Sequence, residues 1–250
     1  MSGRRALVTG ASAGLGQHLA LGLAAKGWLV TGIGRRPMDP GIKNFDYLQA
    51  DLSRFDAVES LAATIGETPD LIVHSAATYP DPATTATASP SELESIFRVN
   101  ALAPYLLTRR LLADKPDDKF CCTVMVNSEA MFAADQHSGL YAASKAALRV
   151  LATGLADACR ASNASVATLL LGPLAGADKL ASARAVAEQR GVSEEEIIRI
   201  FLARSNPNLV IDKFIDYDAC LRSVEYIADL GPTANGMVCR LDGGSAGSLI

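Results

Sequence analysis

The stretch LVTGASAGLG at residues 7–16 places Gly10, Gly14 and Gly16 directly after a short apolar run and directly before the helix-like QHLALGLAAKG. A chain that leaves a strand, turns sharply and enters a helix needs residues without a Cβ at the turn. The helix that follows presents unpaired N–H groups and the positive end of its dipole at that turn, which favours a phosphate there. Thr9 and Ser12 add hydroxyl donors. In this strand, loop and helix setting the glycines point to a dinucleotide held through its pyrophosphate.

Outward from this loop the chain keeps one rhythm. Apolar runs recur at 28–34 (WLVTGIG), 70–76 (DLIVHSA), 120–128 (FCCTVMVNS) and 165–172 (SVATLLLG). None alternates with period two, so each reads as a strand buried on both faces. Between them lie helical stretches with start signals. SRFD at 53–56 and SPSE at 89–92 each put a serine at the N-cap with an acid three residues on, and Pro90 takes the first helical position of the second. The expectation is an α/β fold: one Rossmann-like doubly wound domain over residues 1–250, with a parallel sheet of about seven strands and helices on both faces.

The segment from Leu174 to Phe214 departs from that rhythm. SEEE at 193–196 is a capping box opening IIRIFLAR, with Ile197, Ile200 and Phe201 on one face, and Asn206-Pro207 ends it. It reads as a helical insertion at about 174–214, either an ordinary crossover or a lid over a site.

The bulk numbers narrow the function class. The 250 residues are 49% hydrophobic and 20% charged, with no linker or internal repeat. Lys plus Arg number 23 against 27 Asp plus Glu, a net charge of −4, which offers no general attraction for nucleic acid or an acidic membrane. The apolar residues Ala6 to Val8 are too few for a signal-peptide core, and the uncharged run 161–177 is broken by Gly172-Pro173, so a cytoplasmic protein without a membrane span is expected. Five scattered cysteines without C-x-x-C spacing, and three histidines, argue against a disulfide framework and a metal site.

The second strand bears on the choice of dinucleotide. An NAD site usually presents an acid about 20 residues past the glycine loop to hold the ribose 2′-hydroxyl. Here GIGRRP puts Arg35 and Arg36 at that place. Arginine offers a charge-assisted contact to a 2′-phosphate that an acid would repel, so NADP(H) is the expected cofactor, with Arg35 the more direct ligand.

YAASK at 141–145 sets a phenol and an ammonium one helical turn apart, with Ser128 closing an apolar strand and Asn100 inside an apolar helix. Hydride delivery to a carbonyl builds negative charge on oxygen, which a hydrogen bond must stabilise and a proton must then neutralise. Tyr141 can give that proton if its phenolate is favoured by a nearby cation, and Lys145 is spaced to supply one. Ser128 can donate a hydrogen bond to the substrate oxygen. Ser138 is a rival serine, but it precedes Gly139 in an apparent turn. Pro104, four residues past Asn100, is expected to disturb the helix there.

The T-G-x-x-x-G-x-G spacing, followed in order by Asp51-Leu52, VHSAA at 73–77, Asn100, Ser128, YAASK and LDGG at 241–244, resembles the short-chain dehydrogenase/reductase family over nearly the whole chain. The resemblance implies a catalytic quartet of Asn100, Ser128, Tyr141 and Lys145. Asn100 would hold a water that relays protons from Lys145. It also implies cofactor contacts from Gly10, Ser12, Gly14, Leu15, Gly16, Asp51, Leu52, Ala76, Tyr141, Lys145 and Pro173. His74, Ser75 and Ala77 depart from the family's asparagines and glycine, and Gly172-Pro173 reverses its usual order. The implied activity is NADPH-dependent interconversion of a ketone or aldehyde with an alcohol. A 3-oxoacyl thioester reductase and a non-catalytic NADP-binding scaffold remain as alternatives. A small-molecule substrate is expected, partly apolar if Met131, Phe132 and the residues from Ile197 to Leu202 line its pocket. Relatives associate through the helices at about 90–113 and 140–160, so a homodimer or homotetramer is implied.

Overall fold

In the computed structural model the described residues are 3–39, 41–79, 87–132 and 134–245. Seven parallel strands form one sheet, β1 (Arg5–Thr9), β2 (Leu29–Gly34), β3 (Phe45–Gln49), β4 (Leu71–His74), β5 (Cys121–Ser128), β6 (Ala164–Leu171) and β7 (Val238–Leu241). Their order is β3-β2-β1-β4-β5-β6-β7, so the winding reverses between β1 and β4. Among the described residues eight α-helices connect them: α1 (Gly14–Ala25), α2 (Phe55–Ile65), α3 (Pro90–Phe97), α4 (Ala103–Ala113), α5 (Gly139–Ala158), α6 (Ala177–Arg190), α7 (Glu194–Ser205) and α8 (Tyr217–Asp229).

Successive strand residues face opposite sides of the sheet. Ala6 and Val8 of β1 pack with Leu19 of α1 and Val224 of α8, whereas Leu7 between them packs with Val58 of α2 and Leu107 of α4. Met125 of β5 joins Leu148 and Ala152 of α5 on that second side. Both faces are dry, which is why the strand sequences show no polar alternation. Burial drives the Cys121 thiol up to about 12 and Cys122 to about 11, so both behave as small hydrophobes.

Two start signals behave differently. Ser89 forms the full capping box with Glu92 ahead of α3. At α2 the expected box is not made: the N-cap is Arg54, and Ser53 instead donates its hydroxyl and N–H to Asp51 Oδ1 at 2.8 and 3.0 Å. The acid two residues upstream captures the serine in an Asx turn, and Arg54 pairs with Asp56.

The disturbance expected near Asn100 takes a definite form. Residues Arg98–Leu102 form a π-helical turn, in which the Ala103 N–H donates to the Arg98 carbonyl. Pro104 has no N–H to continue an α-helical ladder, and the wide turn absorbs the mismatch.

The 174–214 segment holds two helices rather than one, with its own small core of Ala183, Ala187, Ile197, Ile198, Leu202 and Phe214. The expected inward face is corrected here. Ile197 is buried, but Ile200 and Phe201 are 37% and 44% exposed, and Ile198 and Leu202 take the buried side because α6 packs against that side of α7. Among the described residues no helix is long and apolar enough to cross a membrane.

Candidate active site

A cleft of about 320 Å³ opens where the strand order reverses, over the carboxyl ends of β1 and β4. Gly10, Ser12, Leu15 and Gly16 line one part of it. Gly10 adopts φ +77°, and a Cβ there would lie 2.8 Å from the Ala76 backbone. A Cβ on Gly16 would strike the Gly10 carbonyl oxygen. The loop is thus folded as tightly as bare backbone permits, and no side chain caps the start of α1, so its first N–H groups remain for a ligand. Such a cradle fits a dinucleotide pyrophosphate. Ala76, whose N–H donates to Thr9 Oγ1 at 3.2 Å, lines the opposite wall.

Arg35, Arg36, Asp51 and Leu52 line the far end of the cleft. Tyr47 on β3 donates its hydroxyl to the Arg36 carbonyl at 2.5 Å, and Gln49 donates its side-chain amide to the Arg35 carbonyl at 3.0 Å. These bonds fix the backbone of the arginine turn, while both side chains stay exposed and make no hydrogen bond among the described residues. Burial opposes ionisation of Asp51, yet the two Ser53 bonds, aided by the charges of Arg35 and Arg54, hold its carboxyl below the ordinary range. Gly14 and Pro173 do not line this cleft; Pro173 lies past β6, where its carbonyl accepts from Ile215 N at 2.9 Å.

The three expected chemical groups of β5 and α5 come together beside the cleft. Ser128 closes β5, with its Oγ accepting from Ala130 N at 3.2 Å and its hydroxyl close enough to that of Tyr141 to favour the phenolate. Tyr141 is 5% exposed, and Lys145, one turn on, is 3% exposed. Lys145 Nζ donates to the Val126 carbonyl at 2.9 Å and lies 5.7 Å from the Tyr141 ring centroid. Desolvation brings the Lys145 ammonium down to about 8. Burial first, then the neighbouring phenol Tyr79, push Tyr141 well above its ordinary value, outweighing the opposing effect of Ser128, so the expected lowering of the phenol by Lys145 is not seen. Ser138, the rival serine, is spent on a turn, donating to Asp135 Oδ1 at 2.7 Å and accepting from Asp135 N at 3.0 Å.

The Asn100 side chain makes no direct hydrogen bond to Lys145. Its Oδ1 accepts from Thr78 N at 2.7 Å, and its Nδ2 donates to the Thr78 carbonyl at 2.9 Å and to Ser144 Oγ at 3.0 Å. Ser144 in turn donates to the Tyr141 carbonyl at 2.7 Å. The fully buried asparagine therefore ties the exit of β4 to the helix that carries Tyr141.

Three residues of the site escape a reading by residue type. Asn127 donates to the Lys145 carbonyl at 3.1 Å and accepts from Ser128 N at 2.8 Å, so one buried amide sets both neighbours. A polar side chain in an apolar strand was the available signal. Tyr79 stacks on Tyr141, and nothing in its surroundings in sequence marks it. Asn206, after α7, donates to Glu129 Oε2 at 3.2 Å and to the Ser245 carbonyl at 3.0 Å, tying the inserted helices to the residue next to Ser128. His74 at the end of β4 is buried, meets Thr108 Oγ1 at 2.8 Å, and is held neutral by desolvation, down to about 3. It supports the strand end from beneath.

A parallel α/β sheet with a glycine-cradled cleft at the reversal of strand order is the architecture of dinucleotide-binding proteins. The sequence model of the short chain dehydrogenase family matches residues 4–185, and the chain belongs to that family of oxidoreductases. It is 25% identical over its full length to the uncharacterized oxidoreductase YvaG of Bacillus subtilis (strain 168), covering 98% of that protein. Its fold is similar to that of a 4-hydroxyisoleucine dehydrogenase complexed with NADH (TM-score 0.83, 20% identity, covering 98% of this chain and 100% of that one). It is also similar to the L-sorbose reductase of Gluconobacter frateurii complexed with NADPH and L-sorbose (TM-score 0.81, 18% identity, 99% and 98% covered).

Proposed function

We propose that this protein interconverts a ketone or aldehyde and an alcohol with NADP(H), using Tyr141 as the general acid and base. The observation that carries the reading is the meeting of the Ser128 and Tyr141 hydroxyls over buried Lys145, beside a cleft whose glycines leave room for a dinucleotide. The nicotinamide nucleotide, when bound, donates or accepts the hydride. Ser128 donates a hydrogen bond to the substrate oxygen, and Tyr141 Oη gives that oxygen its proton or takes it back. Lys145 supplies the cation below the phenol, and Asn127 and Asn100 hold the helix and the strand exits that aim these groups.

The similar structures carry NADH in one case and NADPH in another, so the choice is argued from this chain's own residues. Arg35 and Arg36, whose side chains make no hydrogen bond or ion pair among the described residues, suit a 2′-phosphate. Gly10, Ser12, Gly14, Leu15, Gly16 and Ala76 would hold the phosphates and their surroundings, Asp51 and Leu52 the adenine end, and Pro173 the nicotinamide end. The inserted helices at about 174–214 act as a lid, a reading supported by the Asn206 tie to Glu129. The protein works as a homo-oligomer in the cytoplasm on a small-molecule substrate. A screen of NADPH oxidation over ketones, quinones and 3-oxoacyl thioesters, run beside an NADH control, tests the activity. Tyr141→Phe is expected to abolish turnover and keep NADPH binding; retained turnover would refute the assigned acid.

A further inference from the structure

Tyr79 is placed by bonds it does not itself make. The Asn100 carboxamide grips both the N–H and the carbonyl of Thr78, at 2.7 and 2.9 Å, so the chain enters Tyr79 from a fixed point. From there the Tyr79 ring lies flat on the Tyr141 ring, with centroids 3.8 Å apart and planes 16° from parallel. The stack sets the Tyr79 hydroxyl close enough to that of Tyr141 to act on it, and the Ser128 hydroxyl acts on Tyr141 as well. Tyr79 is nevertheless 63% exposed, so one face of its ring lies on Tyr141 while much of the residue stays open to solvent.

A carbonyl substrate needs the Tyr141 hydroxyl for its own oxygen, and the Tyr79 ring with its hydroxyl lies against Tyr141 where that oxygen must arrive. We propose that Tyr79 is a specificity-determining residue of the substrate site: its hydroxyl stands in for the substrate oxygen on Tyr141, and its side chain swings aside to admit a ketone or alcohol. The inference rests on the reductase reading above. The exposed ring gives up little buried surface when it turns about its side-chain bonds, while the grip of Asn100 on Thr78 keeps the backbone in place. Substrates then compete with an internal phenol, so compounds too small to displace the ring are discriminated against, and the competition is read in KM.

Tyr79→Phe keeps the plate and removes the competing hydroxyl; Tyr79→Ala removes both. Removal of one competing hydrogen bond corresponds to a KM for carbonyl substrate about 3- to 10-fold lower. Tyr79→Phe is expected to show that fall, and Tyr79→Ala a larger one for the smallest ketones. A second readout needs no substrate. Ionisation of Tyr141, taken as the near-ultraviolet difference between each protein and its Tyr141→Phe counterpart, is expected at lower pH in Tyr79→Phe, because the neighbouring phenol no longer holds the proton. A raised KM in both variants, or an unmoved KM and titration, overturns the proposal. Should the unaltered protein reduce no carbonyl compound, the reductase reading fails and the titration alone decides Tyr79, an unshifted curve counting against it.

Discussion

The Lys145 ammonium donates to the Val126 carbonyl at 2.9 Å and is 3% exposed, with no carboxylate bonded to it among the described residues. A buried cation without an anion costs stability, which here is tolerated at the centre of the site. Lys145 falls from 10.5 to about 8 on folding, so below pH 8 the native state carries the whole penalty, and it is relieved as pH rises from 8 to 10.5. Lys145→Met should therefore stabilise the fold at pH 7, by up to about 3 kcal/mol less the contribution of the hydrogen bond to Val126, with a gain that shrinks by pH 10. The same variant should fall about 100-fold in kcat/KM. Thermal unfolding from pH 7 to 10 beside kinetics at pH 7 checks both; a variant less stable at pH 7 would contradict the account.

Arg35 and Arg36 set the next expectation. Their carbonyls are fixed by Gln49 and Tyr47, so a change of side chain at Arg35 should leave the turn in place. Arg35→Asp takes away a charge-assisted hydrogen bond to the 2′-phosphate and puts a like charge beside it. The KM for NADPH should rise by about 10- to 100-fold, and the gap to NADH should narrow. Unchanged preference would remove Arg35 from the 2′-phosphate site.

His74 gives a pH dependence of stability with a definite sign. Its folded value of about 3 lies below its ordinary 6.5, so as pH falls below 6.5 the unfolded chain takes up a proton that the native state refuses. Stability is fully present above 6.5 and declines on acidification, by about 2 kcal/mol between pH 7 and 5 from this residue. His74→Gln, which keeps a partner for Thr108, should flatten that part of the curve. Equal slopes in the two proteins, measured by urea unfolding at each pH, would count against His74 as the cause.

The sheet, the glycine loop and the order of Ser128, Tyr141 and Lys145 were legible because each rests on local pattern: dry strands lack alternation, and a tight turn needs glycine. The fate of Ser53 was not, since Asp51 and Arg54 compete for the same turn and only their geometry selects a winner. Which side of α7 is buried also escaped, because Ile197, Ile198 and Leu202 are chosen by α6, an element remote in pattern though near in sequence. Tyr79 and the direction of the Tyr141 shift depend on packing between β4, the Arg98–Leu102 turn and α5, which no single stretch encodes. The departure of His74 from the family pattern was visible, but its meaning needed Thr108.

Asn127 carries the last expectation. Its amide satisfies the Lys145 carbonyl at 3.1 Å and the Ser128 N–H at 2.8 Å, in a place only 2% exposed. Asn127→Leu conserves volume but leaves a buried donor and a buried acceptor without this partner, at a cost of about 2–4 kcal/mol. The β5 end and the Tyr141 turn of α5 then lack their common brace, and a shift of a few tenths of an ångström between Ser128 and Tyr141 is enough to misalign two hydrogen bonds to one oxygen. The effect should fall on kcat, lowering it by at least about 10-fold, with NADPH affinity nearly unchanged because the glycine cradle is built by β1, α1 and Ala76. Fluorescence titration with NADPH and steady-state kinetics below the melting temperature of the variant separate the two effects. Full kcat in a folded Asn127→Leu protein would show that Ser128 and Tyr141 are aligned without it.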